Sequence, residues 1–133
     1  MEIISILTSG ETDFVDITPE VEKVIASSGI KEGVALIYSE HTTGAVVINE
    51  KEAGLLEDYL ELLRTLVPRG KGYMHNRIDS NAHAHLRALI LGNEKLVPVV
   101  NFKPVLGTWQ RIFFVELDGP RRRKIIVKVL KDV

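Results

Sequence analysis

The chain has 133 residues, 45% of them hydrophobic and 26% charged, with a formal net charge of −1. That size and balance fit one packed soluble domain and exclude wholesale disorder, and no basic field recommends nucleic acid as a partner. There is no cysteine, which excludes disulfides and thiolate sites and fits a reducing compartment or a hot habitat.

No apolar run approaches the ~20 residues of a membrane span. The start, MEIISILTSG, carries an acid and lacks the basic region of a signal peptide, so a cytoplasmic location is expected.

Residues 2–8, EIISILT, are β-branched and end at Ser9-Gly10, which predicts a first strand. Thr18-Pro19-Glu20 reads as a cap, a first-position proline and a first-turn acid. The helix they open should reach Ser28, with Gly29 as its left-handed stop and Val21, Val24 and Ile25 as its buried stripe. Strands follow at Gly33–Ser39 and Ala45–Ile48, around the turn Glu40-His41-Thr42-Thr43-Gly44.

Ala53 to Val67 is helical in period, with Leu55, Leu56, Tyr59, Leu60, Leu63, Leu66 and Val67 on one side. Pro68 ends it, and Asp58 falls near the edge of that stripe. Ser80 or Asn81 can cap a third helix that stops at Gly92, its core arc formed by Ala82, Leu86, Leu89 and Ile90. Lys95–Val100 is a strand that Pro98 pushes toward an edge or bulge. Thr108–Leu117 and Lys124–Leu130 read as a hairpin around Asp118-Gly119-Pro120. The expectation is one α+β domain over residues 1–133, with roughly seven strands and three helices.

Three of the four histidines, His75, His83 and His85, lie within residues 75–85 beside Asn76, Asn81 and Asp79. Imidazole is the commonest transition-metal ligand and the commonest proton carrier near neutral pH. If the segment is helical from residue 81, His83 and His85 diverge by ~200° and cannot easily share a metal; if it is still extended there, both fall on one face. Ordinary hydrogen-bonded histidines at a helix border are the plain alternative.

His41-Thr42-Thr43 and Asn49-Glu50 bracket a strand. The threonines offer hydroxyl and N–H donors to a phosphate or merely form a turn, and Glu50 is a general base, a cation ligand or a solvated strand-end acid. In Gly107-Thr108-Trp109-Gln110, the only tryptophan reads as a core filler, while Gln110 lines a site or is exposed. Arg121-Arg122-Arg123-Lys124 reads as an anion site or as a solvated turn.

Three motifs, HTTGAVVINE at 41–50, SNAHAHLRALILG at 80–92 and GTWQRIFFVELDGPRRR at 107–123, resemble the YjbQ-like family of small bacterial and archaeal proteins. Members of that family often carry a longer acidic stretch where this chain has Lys51-Glu52-Ala53-Gly54. The resemblance implies a β-sandwich-like antiparallel sheet flanked by two or three helices, assembled as a homotrimer or hexamer. It further implies a site drawn from His41, Asn49, Glu50, His75, Asn81, His83, His85 and Gln110, with a divalent metal, zinc or magnesium.

The activity attached to the family is thiamine-phosphate synthesis with release of pyrophosphate, so the expected substrate is a small phosphorylated metabolite. In that scheme His75, His83 and His85 hold the metal, and Glu50, His41, Asn49 and Gln110 are catalytic. Thr42, Thr43, Asn81, Arg77 and Thr108 bind substrate, with Arg121 as a further rim candidate for the phosphate. The alternatives are a metal-dependent hydrolase and a non-catalytic, metabolite-binding oligomer.

Overall fold

A computed structural model describes all 133 residues. The elements run β1 (Glu2–Leu7), β2 (Asp13–Asp16), α1 (Thr18–Ser27), β3 (Glu32–Tyr38), β4 (Gly44–Glu50), α2 (Ala53–Leu66), a 3-10 turn (Met74–Arg77), α3 (Ala82–Leu91), β5 (Glu94–Val100), β6 (Lys103–Pro104), β7 (Gln110–Glu116) and β8 (Arg122–Lys131). Two antiparallel sheets form, one in the order β1-β8-β3-β5-β6 and one in the order β2-β7-β4. The fold is therefore α+β in one domain, as expected.

Alternation along the strands builds the layers. Ile37, Val97, Ile125 and Val127 of the five-stranded sheet meet Val46, Ile112 and Phe114 of the three-stranded sheet, and α1 adds Val21 and Ile25 to this core. The opposite face of the three-stranded sheet presents Ala45, Phe113 and Val115 to Leu63 of α2 and to Ala84 and Ala88 of α3. β7 is apolar on both faces because it is covered on both. The outer face of the five-stranded sheet carries Ile3, Leu96 and Leu130 exposed.

The structure departs from expectation at several points. The hairpin around Asp118-Gly119-Pro120 does not exist: β7 pairs with β2 and β4, whereas β8 pairs with β1 and β3. Residues 117–121 instead cross from one sheet to the other, through a cis Gly119–Pro120 bond. Local turn chemistry marked a reversal there and could not say which sheet the chain entered next.

Thr18 is not a side-chain cap. Its backbone N–H is received by Asp16 Oδ1 at 2.9 Å, and its hydroxyl accepts from Ile112 N–H at 2.8 Å, tying α1 to β7. Asn81 occupies the cap position of α3 without capping it; Asn76 Oδ1 accepts from Ala82 N–H at 3.2 Å instead.

The third helix also turns a different face inward. Ala82, His83, Ala84, Arg87 and Ala88 are its buried residues, while Leu86, Leu89 and Ile90 are exposed. Alanines let the helix approach the Phe113 side of the sheet closely, and leucines at those positions would hold it off. On α2, likewise, Leu66 is exposed and only Leu63 and the following Val67 are fully buried. Two short strands, β2 and β6, were not foreseen.

Pro98 sits as its chemistry requires. Its carbonyl faces the β6 side, accepting from Val105 N–H at 2.8 Å, so the missing N–H costs β3 no ladder bond. Gly29 and Gly92 end their helices at φ 71° and 89°.

Candidate functional site: a histidine and arginine pocket

Register decides which residues can meet. Along β4 and β7, Gly44 lies opposite Glu116 at one end, and Glu50 opposite Gln110 at the other. Six strand steps at ~3.3 Å separate those ends by about 20 Å. The turn carrying His41, Thr42 and Thr43 therefore opens at the Glu116 end, and Asn49, Glu50, Thr108 and Gln110 stand at the far end. Within one subunit these two sets do not meet.

At the Glu116 end, a cavity of about 480 Å³ is lined by His41, Thr42 and Thr43, by His75 and Asp79, by Asn81 and His85, and by Asp118, Arg121 and Arg123. Four segments supply it: the β3–β4 turn, the 3-10 turn, the first turn of α3 and the crossing into β8. Gly44 makes the first of these possible, because a Cβ there would stand 2.4 Å from the buried Phe114 ring.

His75 and His85 pack edge to face with ring centroids 4.8 Å apart. Asn81 links them to the arginines. Its Oδ1 lies 3.1 Å from His75 Nε2, and its Nδ2 donates to Asp118 Oδ2 at 2.9 Å. Asp118 also accepts from Arg121 Nη2 at 2.8 Å. His41 Nε2 lies 3.1 Å from the Lys124 N–H and 3.2 Å from its carbonyl. Burial lowers the His41 pKa, and the charge of Arg123 pushes it the same way against weaker opposition from Lys124, Glu116 and Glu40. Both effects favour the neutral form of the His41 imidazole.

His83 lies elsewhere. Its ring is buried, with Nε2 3.3 Å from Glu11 Oε1 and Nδ1 without a partner. Glu11 also takes Arg69 Nη1 at 2.7 Å. Burial lowers the His83 pKa, partly offset by Glu11. Because α3 is helical from Ala82, His83 and His85 diverge as the helical alternative required. His75, His83 and His85 thus share no centre, and no three His, Asp or Glu groups gather closely enough to hold a metal ion. His41, His75 and His85 line one pocket, but no three such groups there come close enough together to complete the ligand set of a catalytic zinc, so the donors of one subunit do not fit the expected metal.

The remaining candidates are placed as follows. Glu50 offers its carbonyl to Tyr59 Oη at 3.1 Å, and Asn49 Oδ1 accepts from Glu50 N–H at 2.8 Å. Gln110 Oε1 accepts from Gly107 N–H at 2.8 Å. Trp109 does not fill the core; it is exposed, as are Thr108 and Arg77.

Glu116 and Arg123 were not singled out as a pair by sequence reasoning. Both are buried, and they form a two-point ion pair. Burial raises the Glu116 pKa, but bonds from Arg123, Asp118 N–H and Thr8 override it and hold the carboxyl below its usual value. A polar residue closing the apolar run IFFVEL was the available signal, since a buried carboxylate needs a cation.

The sequence matches the family described as UPF0047 protein YjbQ-like over residues 2–132. A UPF0047 protein of Archaeoglobus fulgidus is 54% identical over 127 residues, covering 96% of this chain and 98% of the relative. Bacillus subtilis YugU is 34% identical over 131 residues, 98% of each chain. Among solved structures, a YbjQ-like protein of Sulfolobus solfataricus P2 superposes with a TM-score of 0.96 at 47% identity, covering 98% of this chain and 96% of the other. A hypothetical protein from Aeropyrum pernix K1 gives 0.94 at 41% identity, with 99% and 100% covered. With matches that span the whole domain, site segments included, the chain belongs to the UPF0047 YjbQ-like family.

Proposed function

We propose that this protein is an enzyme acting on a small phosphorylated metabolite, with the histidine and arginine pocket as its active site. The observation that carries the reading is the delivery of His41, His75 and His85, from three separate segments, into one cavity shared with Arg121 and Arg123. Imidazole groups move protons near neutral pH, and fixed guanidinium donors stabilise the charge that develops on a phosphate or pyrophosphate leaving group. Asn81, itself held by Asp118, orients His75. Thiamine-phosphate synthesis, the transfer suggested by the family resemblance, is the first reaction to try.

The far-end residues Glu50, Asn49 and Gln110 enter the reading only through a second copy. The exposed apolar face of the five-stranded sheet, with Ile3, Leu96 and Leu130, favours self-association, and we extend the proposal to a cytoplasmic homo-oligomer in which a neighbour's strand end completes the pocket.

The test is turnover of hydroxymethylpyrimidine pyrophosphate with thiazole phosphate, by wild type, His85→Ala and Glu50→Gln. Thiamine phosphate and pyrophosphate should form with wild type and fall about 100-fold or more with His85→Ala. If both substrates return unchanged, the named reaction is wrong; phosphate released from one substrate alone would mean hydrolysis instead. Where a neighbour completes the site, Glu50→Gln should fall likewise, and mixing the two variants should restore turnover.

A further inference from the structure

Arg123 combines two properties that seldom coincide: it is 4% exposed, yet it lines the pocket. Its guanidinium is gripped from behind. Nε donates to Glu116 Oε1 at 2.8 Å, and Nη2 donates to Glu116 Oε2, to Thr43 Oγ1 at 2.8 Å and to the Thr43 carbonyl at 3.2 Å. Glu116 is fixed in turn. It accepts from Thr8 Oγ1 at 2.8 Å and from the N–H groups of Leu117 and Asp118 at 3.0 and 3.1 Å.

These bonds use every donor of Arg123 except Nη1. That nitrogen has no partner in the chain, and it is not sealed away, since the only buried side-chain atom left unpartnered is His83 Nδ1. A guanidinium present only to neutralise Glu116 would have no reason to keep an unpartnered, accessible donor on a residue that lines a cavity.

We propose that Arg123 is the phosphate-recognising residue of this pocket, with Nη1 as its donor and Glu116 as its positioning residue. This rests on, and deepens, the reading of the pocket as a site for a phosphorylated metabolite. Locking two of the three guanidinium nitrogens removes the rotamer entropy that a free arginine loses on binding an anion. Arg121 is the second cation, on the rim, its Nε and Nη2 held by the Asp118 carbonyl and carboxylate at 2.7 and 2.8 Å. Glu40, Asp79 and the Arg121-bonded Asp118 also line the cavity, and their carboxylates disfavour an anion away from the guanidinium groups.

Inorganic phosphate is the probe. In wild-type protein its titration should shift the arginine side-chain ¹⁵N–¹H signals of Arg123 saturably, a measurement that needs no variant to fold. By calorimetry, Arg123→Lys should weaken phosphate at least tenfold, because lysine keeps the charge and loses the planar fork. Arg121→Gln should cost only a few-fold. Glu116→Gln should raise KM for a phosphorylated substrate by a larger factor than it lowers kcat, a split that general loosening of the fold would not give.

The proposal is overturned if wild type binds no phosphate, if only Arg121 signals move, or if folded Arg123→Lys binds phosphate as wild type does. Phosphate binding through Arg123 without turnover would sink the enzyme reading and leave this one standing. Turnover with unchanged KM in Arg123→Lys would do the reverse.

Discussion

Single side chains set the Glu116 end of the fold by what they exclude and what they neutralise. Gly44 faces the buried Phe114 ring at a distance no Cβ tolerates. Gly44→Ala should therefore cost about 1–3 kcal/mol in urea denaturation, and it should disturb the His41–Thr43 turn before the remote Gln110 end. Glu116 gives a pH signature. Its folded pKa lies below the unfolded value of about 4.3, so the ion pair contributes its full stability above that value and loses it as pH falls through the lower folded pKa. Wild type should lose stability steeply below about pH 4.3, and Glu116→Gln should flatten that acid limb. Glu116→Ala, which strands Arg123 without its counter-charge, should cost about 3–5 kcal/mol at pH 7.

At the scale of elements, the central relation is that α3 lies close on the three-stranded sheet through Ala84 and Ala88. Ala84→Leu should lift the helix, move His85 away from His75 and destabilise the protein by about 1–3 kcal/mol. Leu63→Ala, on the neighbouring helix, should cost about 2–5 kcal/mol by the same denaturation measurement.

The period of these helices was legible, and so were the stops at Gly29 and Gly92. Which face turned inward was not, because periodicity rewards large apolar side chains. Close approach to Phe113 rewards small ones, and Leu89 and Ile90 were left outside. The divergence of His83 and His85 was one of two geometries open from sequence, and the helical start at Ala82 decides between them.

Across the whole molecule, two sheets share one core and the chain passes between them at residues 117–121. That crossing is the part least accessible from sequence: Asp118-Gly119-Pro120 announces a turn equally well whether the next strand pairs with the last or joins another sheet. It is also what brings Arg121 and Arg123 to His41, so the pocket inherits the same illegibility. The histidines could be named from composition and spacing. So could the separation of His41 from Glu50 by one strand; the placing of Gln110 beside Glu50 could not, because it follows from the β4–β7 register.

If the proposed assembly forms through the open face of the five-stranded sheet, Leu96→Glu should reduce the mass seen by light scattering to that of one subunit. Turnover should fall with it if a neighbour completes the pocket.

The central claim, that the pocket of His41, His75 and His85 does chemistry on a phosphorylated metabolite, is tested most directly by kcat of wild type and His85→Ala with the two thiamine-phosphate precursors, read beside their urea unfolding curves. Wild type should give product and pyrophosphate, and the variant should lose about 100-fold or more, with superimposable unfolding curves. Equal turnover by both proteins would contradict it.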